Sequence, residues 1–170
     1  MDYKEKEFEK MVHTQKEVIY TVCYMFSKNE DEVADLFQET LINMWKGITN
    51  NNANMLEAER DAQKAWVYRV SLNTCISWDR KKKKHPTVSL TMDVNLFSDT
   101  DSRTRQVDML HERISRLQPF DRAIILLWLE DISYDEIADI MGISAKNVSV
   151  RLVRIREELK RNNNRSNLLL

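Results

Sequence analysis

Three stretches of the chain carry residues whose types and spacing suit engagement of another macromolecule. In AWVYRVSLNTCISWDRKKKK (Ala65–Lys84), Trp66, Tyr68 and Trp78 are interleaved with Arg69, Asn73 and the cation block Arg80-Lys81-Lys82-Lys83-Lys84. Aromatic faces stack on unpaired bases while cations follow a phosphate backbone, so this mixture suits single-stranded or melting DNA. Taken singly, each aromatic also fits a helical core and the cation block a solvated helix end. In SYDEIADIMGISAKNVSVRLVRIREELK (Ser133–Lys160), a capped helix of about two turns, a glycine turn and a second capped helix form a helix-turn-helix pattern. Ile137, Ala138, Ile143, Val148, Leu152 and Ile155 are spaced to lock two crossed helices together, leaving Lys146, Asn147, Ser149, Arg151, Arg154 and Arg156 outside. Amide and guanidinium groups match the acceptors on base edges and phosphates. The plain alternative is a charged hairpin without a ligand, because cations near helix C-termini also favour the helix dipole. In DLFQETLINMWK (Asp35–Lys46), Asp35, Gln38, Glu39 and Asn43 recur at three and four residues and form a polar stripe beside an apolar one. By itself that stripe is a solvated face.

Nothing comparable points to catalysis. His13, His85 and His111 fall in unrelated segments, and no nucleophile–base spacing or metal-ligand cluster appears. Cys23 and Cys75 sit inside apolar helical patterns without a CxxC and are expected to be reduced core thiols. No enzymatic activity, cofactor or metal is expected. Two glycines, Gly47 and Gly142, stand far apart, which excludes the clustered glycines of phosphate-cradling loops. With only two prolines as well, a sheet of many hairpins is disfavoured. A chain that is 42% hydrophobic and 31% charged reads as a soluble helical protein. Neither a bilayer-spanning run nor the apolar stretch of a signal peptide is present, so the expected location is cytoplasmic.

The net charge of −1 conceals a repeated polarity. Residues 1–62 carry 7 basic and 13 acidic side chains, and residues 63–90 carry 7 and 1. Residues 91–142 carry 5 and 11, and residues 143–170 carry 7 and 2. Acidic, basic, acidic, basic suggests two modules, each presenting one cationic face.

The elements that must position these residues are helices throughout. Phe8, Met11, Val12, Gln15, Val18, Ile19, Val22, Cys23 and Phe26 form one stripe of a helix over about 3–27. Asn29 with Glu32 has the form of a capping box for a second helix reaching about Lys46, closed by Gly47, with Val33, Leu36, Phe37, Leu41, Met44 and Trp45 near one side. Residues 49–61 read as a polar connection. A third helix begins near Ala62, aligns Trp66, Val70, Asn73 and Ile76, and ends in the cation block before Pro86. Residues 85–102 read as a linker containing Val88, Leu90, Val94, Leu96 and Phe97. Beyond it, Val107, Leu110, Ile114 and Leu117 mark one helix. Pro119 opens another through Ile124, Leu127 and Trp128. Ser133 with Glu136 caps a short helix closed by Gly142, and Ser144 caps a last helix to about Arg161. The expected fold is all-α: two small helical domains joined by a flexible linker.

In this order the three stretches resemble a bacterial sigma factor of the extracytoplasmic-function group, within the sigma-70 family, and the resemblance covers nearly the whole chain. It implies a region-two domain at 1–85, a linker at 86–103, a region-four domain at 104–162 and a tail at 163–170. DLFQETLINMWK is similar to the family's Asp-Leu-x-Gln-Glu segment, which grips the β′ clamp of RNA polymerase; the implied contacts are Asp35, Leu36, Gln38, Glu39 and Asn43. AWVYRVSLNTCISWDRKKKK is similar to the helix that recognises and melts the minus-10 element, implying contacts from Trp66, Arg69, Asn73, Trp78, Arg80, Lys81 and Lys82, with Asn73 at the position that reads a flipped-out base. The helix-turn-helix is similar to the one that reads the minus-35 element, implying contacts from Ser144, Lys146, Asn147, Ser149, Val150, Arg151, Arg154 and Arg156. Here Asn147-Val148-Ser149-Val150-Arg151 stands where the family commonly has Thr-Val-Lys/Arg-Ser-Arg. The implied partners are core RNA polymerase (β′ clamp and β flap), promoter DNA and an anti-sigma factor. The competing reading is a conventional dimeric helix-turn-helix regulator that binds operator DNA without polymerase.

Overall fold

Asp2 starts the first helix, α1 (Tyr3–Met25), through a reciprocal cap: the Glu5 amide donates to Asp2 Oδ1 at 2.8 Å and the Asp2 amide donates to Glu5 Oε2 at 3.3 Å. The computed structural model describes residues 2–82 and 105–168, with side chains of the second stretch from 108 to 161. Lys83, Lys84, His85, the expected linker 86–103 with its apolar residues, and the side chains of 162–170 lie outside the described residues. Among those described there are only helices and turns, and they fall into two compact units.

The first unit packs α1, α2 (Glu30–Asn50) and α3 (Arg60–Lys82) against one another, with a short 3-10 turn at Ala53–Glu57 between the last two. Met11, Ile19, Val22, Cys23 and Phe26 from α1 and its end meet Val33, Leu36, Phe37, Met44 and Ile48 from α2, all buried. A polar member of the α1 stripe, Gln15, is buried because Gln63 satisfies it: Gln15 Nε2 donates to Gln63 Oε1 at 3.3 Å, and Gln63 Nε2 donates to the Met55 carbonyl at 3.0 Å. Cys23 and Cys75 are buried thiols outside any disulfide.

Two expectations need correction here. Gly47 does not close α2, which runs on to Asn50. Its role is steric: a Cβ built there would lie 3.0 Å from Trp66 Cζ2, so the glycine makes room for an indole packed on the helix backbone. On α3, the line of Trp66, Val70, Asn73 and Ile76 aligned by their spacing is not one environment. Trp66 is buried, but Asn73 is exposed, and the core side is Gln63, Val67, Tyr68, Ser71, Leu72, Thr74 and Cys75. A helix buried against two neighbours at once has no narrow apolar stripe for periodicity to detect.

The second unit contains α4 (Arg105–Ser115), α5 (Pro119–Leu129), α6 (Tyr134–Met141) and α7 (Ala145–Leu168). Pro119 occupies the first turn of α5, as expected. Ala123 to Leu127 are all buried, so α5 is the central rod of the unit. Arg122, also buried, turns its Nη2 to the Ser115 and Leu117 carbonyls at 2.8 and 3.1 Å and caps the end of α4. Of the apolar residues that mark this helix in the sequence, Leu110 is exposed; α4 is anchored by Ile114, with Leu117 in the turn that follows it. The α7 backbone continues to Leu168, past the expected end at Arg161.

Ser133 and Ser144 cap α6 and α7 by accepting from the Glu136 and Asn147 amides at 3.2 and 3.1 Å. Between these helices Gly142 adopts φ +71° with open space around its missing Cβ. The demand there is purely conformational. Gly142→Ala is therefore expected to lower the stability of the α4–α7 unit by about 1–2 kcal/mol, and Gly142→Asn by less, since asparagine tolerates the left-handed region. Hydrogen exchange of α6 and α7 amides in the intact chain measures this; equal losses for the two variants would rule out the conformational explanation.

Candidate nucleic-acid and polymerase interfaces

The stripe on α2 follows from the packing of its opposite side. With Val33, Leu36, Phe37, Thr40 and Met44 buried, Gln38 is exposed and Asp35, Glu39 and Asn43 are half-buried along the outer edge. Leu36, at 0% exposure, is a core residue and not a contact. Asn43 turns inward: its Nδ2 donates to Thr74 Oγ1 at 2.9 Å, and that hydroxyl donates to the Val70 carbonyl at 2.8 Å, tying α2 to α3. One exposed residue of the same stripe escapes a search for polar spacing. Ile42 is 48% exposed and follows Asp35, Gln38 and Glu39 at helical intervals, so the surface is a carboxylate–amide patch with an apolar edge.

On α3, Arg69, Asn73, Arg80, Lys81 and Lys82 are exposed and Trp78 is half-buried. Asn73 is exposed, and its carboxamide makes no hydrogen bond to another described residue. Lys82 Nζ lies 2.7 Å from Glu32 Oε2, an ion pair between the end of α3 and the start of α2. Glu32 is thereby diverted from the reciprocal half of the expected capping box; Asn29 still caps, accepting the Glu32 amide at 2.9 Å. Arg80 and Lys81 have no ion pair among the described residues. Trp66, expected at the minus-10 surface, is 8% exposed and seated on Gly47. It is part of the core.

On α7, Val148, Leu152 and Ile155 pack inward with Ile137 and Ala138, all buried, while Ile143 is half-buried. Lys146, Asn147, Arg154 and Arg156 are exposed, and Ser149 and Arg151 half-buried. The Ser144 hydroxyl is occupied as a cap. Val150 and Val153 add apolar surface to the exposed side, at 60% and 56% exposure; Val153 is a member that charge-based reading misses. The arginines are not all outstretched. Arg151 Nη1 lies 3.2 Å from Asp121 Oδ1 and Arg154 Nη2 lies 3.6 Å from Asp121 Oδ2. The Arg151 guanidinium also stands 4.9 Å from the Phe120 ring centre, and that of Arg156 5.0 Å from Trp128. Asp121 has no signal in the sequence beyond an acid in a first helical turn, where it reads as a dipole partner.

Comparison with known proteins places these surfaces in a family. Residues 11–85 match Sigma-70 region 2 and residues 108–159 match Sigma-70, region 4, in that order along the chain. The chain belongs to the sigma-70 family, as an extracytoplasmic-function sigma factor. It is similar to RNA polymerase sigma factor YlaC of Bacillus subtilis strain 168, 26% identical over 153 residues that cover 84% of this chain and 85% of the relative. ECF RNA polymerase sigma factor SigW of the same organism is 28% identical over 171 residues, covering 91% and 87%. The fold is shared with the sigma factor RpoE of Bartonella quintana, solved with the anti-sigma factor NepR, at a TM-score of 0.65 and 21% identity over 92% of this chain and 96% of that one. CnrH, solved with the cytosolic domain of CnrY, gives 0.63 and 19% over 92% and 87%. No described helix of the sigma factor is long and apolar enough to cross a membrane.

The burial of Trp66 makes a testable distinction. Trp66→Ala is expected to destabilise the α1–α3 unit by about 3–5 kcal/mol through the cavity it leaves, read by hydrogen exchange in the intact sigma factor. A variant with unchanged exchange and impaired promoter opening would return Trp66 to the DNA surface.

Proposed function

We propose that this sigma factor binds core RNA polymerase and directs promoter-specific initiation, catalysing nothing itself and working in the cytoplasm where its template lies. The observation that supports this most is one exposed cationic helix in each of two separately folded units, matching region two and region four in order. In this reading Asp35, Gln38, Glu39 and Ile42 meet the polymerase β′ clamp, and the second unit meets the β flap. Arg69, Asn73, Trp78, Arg80, Lys81 and Lys82 serve the minus-10 element, the cations holding phosphates while Asn73 offers a free carboxamide to an unstacked base. Lys146, Asn147, Ser149, Val150, Arg151, Arg154 and Arg156 serve the minus-35 element from the major groove, with Ser144 capping their helix. The domain limits follow as 1–85, a linker at 86–103, 104–162 and a tail at 163–170.

Control by an anti-sigma factor belongs to the same proposal. It is supported by the fold shared with RpoE, which was solved in complex with one.

Run-off transcription on fragmented genomic DNA, with core polymerase plus or minus the protein, tests the whole reading. Protein-dependent transcripts sharing two upstream elements are expected; none, together with stable self-association and tight DNA binding without polymerase, would favour the dimeric regulator. Asp35→Ala and Gln38→Ala are each expected to weaken holoenzyme formation by about tenfold, the scale of one hydrogen bond to a charged group; unchanged affinity would remove α2 from the polymerase interface. Asn73→Ala should leave polymerase affinity intact and reduce strand opening, measured by permanganate reactivity of unpaired thymines.

A further inference from the structure

The contacts around Asp121 form a relay that ends at the DNA-facing end of α7. Asp121 is 8% exposed in the first turn of α5, with its carboxylate toward α7. Its Oδ1 receives Arg151 Nη1 at 3.2 Å. Arg151 Nε in turn donates to Asn147 Oδ1 at 3.1 Å, while Phe120 lies against the guanidinium face at 4.9 Å. Arg151 is thus fixed along one edge, at Nε and on one face. Arginine has donors only, so the oxygen of the Asn147 carboxamide must be the atom turned toward it. The amide NH2 is then the end left for a ligand.

Asn147 is exposed and lies in the first turn of α7, its backbone amide held by Ser144 Oγ at 3.1 Å. Residues at this end of a recognition helix meet base edges. Asparagine ordinarily reads adenine by accepting from N6 and donating to N7 together. With Oδ1 drawn to Arg151, that two-way contact is disfavoured and a donor remains. Of the four major-groove edges, guanine presents two adjacent acceptors, N7 and O6, whereas cytosine presents the N4 donor.

We propose that Asn147 reads an acceptor edge in the minus-35 element, with guanine the best match, and that Asp121 acts through Arg151 as the residue that positions it. This rests on the minus-35 reading of α7 given above.

The test is promoter selection by the holoenzyme from a library randomised over the minus-35 element, with sequencing of the transcribed pool. The wild-type protein is expected to prefer guanine at one position, and Asn147→Ala to flatten that position alone by about fivefold, the scale of one hydrogen bond. Asn147→Asp replaces the outward NH2 with an oxygen, so the preference there should move to cytosine. Asp121→Ala should flatten the same position while the minus-10 preference and polymerase affinity hold, and Asp121→Asn, which keeps an acceptor for Arg151, should retain part of it. If Asp121 is only a clip between α5 and α7, Asp121→Ala would lower minus-35-dependent transcription evenly with base preferences intact, and the relay would be wrong. Because Asn147 is exposed, its variants decide the matter even if Asp121→Ala unfolds the unit: a preference unmoved by both Asn147 variants overturns the proposal. A wild-type pool with no minus-35 preference overturns the minus-35 reading itself.

Discussion

A helix packed against two partners can show solvent only one edge and its ends, and that constraint shapes the first unit. α3 buries residues over most of its circumference against α1 and α2, down to the indole of Trp66 on the bare backbone at Gly47. What remains outward beyond the start of the helix is a line through Arg69, Asn73 and Arg80, spaced by four and seven residues, with Lys81 and Lys82 beside its end. The same packing turns the outer edge of α2 away from α3, which leaves Asp35, Gln38, Glu39 and Ile42 together on a different surface. The Asn43–Thr74 hydrogen bond and the Glu32–Lys82 ion pair fix the two helices at separate points along their length. A carboxylate–amide surface and a cationic surface therefore come from one core without sharing residues.

The second unit solves the same problem with less apolar burial and more polar restraint. α7 contributes Val148, Leu152 and Ile155 to the interior, one residue per turn. Its remaining orientation is held by α5, whose Phe120, Asp121 and Trp128 meet Arg151, Arg154 and Arg156. A flexible arginine loses rotamer entropy when it binds a phosphate; one already stacked and paired has lost part of it on folding. In the proposed reading the arginines of α7 are thus part scaffold and part ligand-binding group.

The capped and periodic parts of this arrangement are visible in the sequence because they are local. Asn29, Ser133 and Ser144 announce helix starts three residues ahead of the amides they accept from, and Gly142 announces the turn between α6 and α7. The interlocking residues of α6 and α7 are equally legible from spacing. What escapes is whatever depends on a second element. Gly47 looks like a helix end until Trp66 is placed on it, and Trp66 looks like a base-stacking residue until Gly47 is placed beneath it. Leu36 and Asn43 lie within the stripe that resembles a polymerase contact, yet one is core and the other is turned to Thr74. Asp121 is silent because its partners are thirty residues away or more.

Charge counting overstates what α7 offers to DNA at long range, and the difference separates attraction from reading. Arg151 and Arg154 share the single carboxylate of Asp121, so the three groups together present one net positive charge. The Arg154 contact is 3.6 Å long with that side chain 58% exposed, so water screens it and a phosphate can take its place at small cost. The Arg151 contact is shorter and more enclosed, and is backed by Phe120 and Asn147. Among the exposed cations without an ion pair to a described residue are Lys146 and Arg156 on α7 and Arg80 and Lys81 on α3, and they suit the long-range pull on a phosphate backbone that displaces counterions. The division has a physical basis. A charge that attracts DNA from a distance must be unpaired and solvated, whereas a group that distinguishes one base from another must be held still; in the proposed reading Asp121 withdraws Arg151 from the first task and leaves it to hold Asn147 for the second.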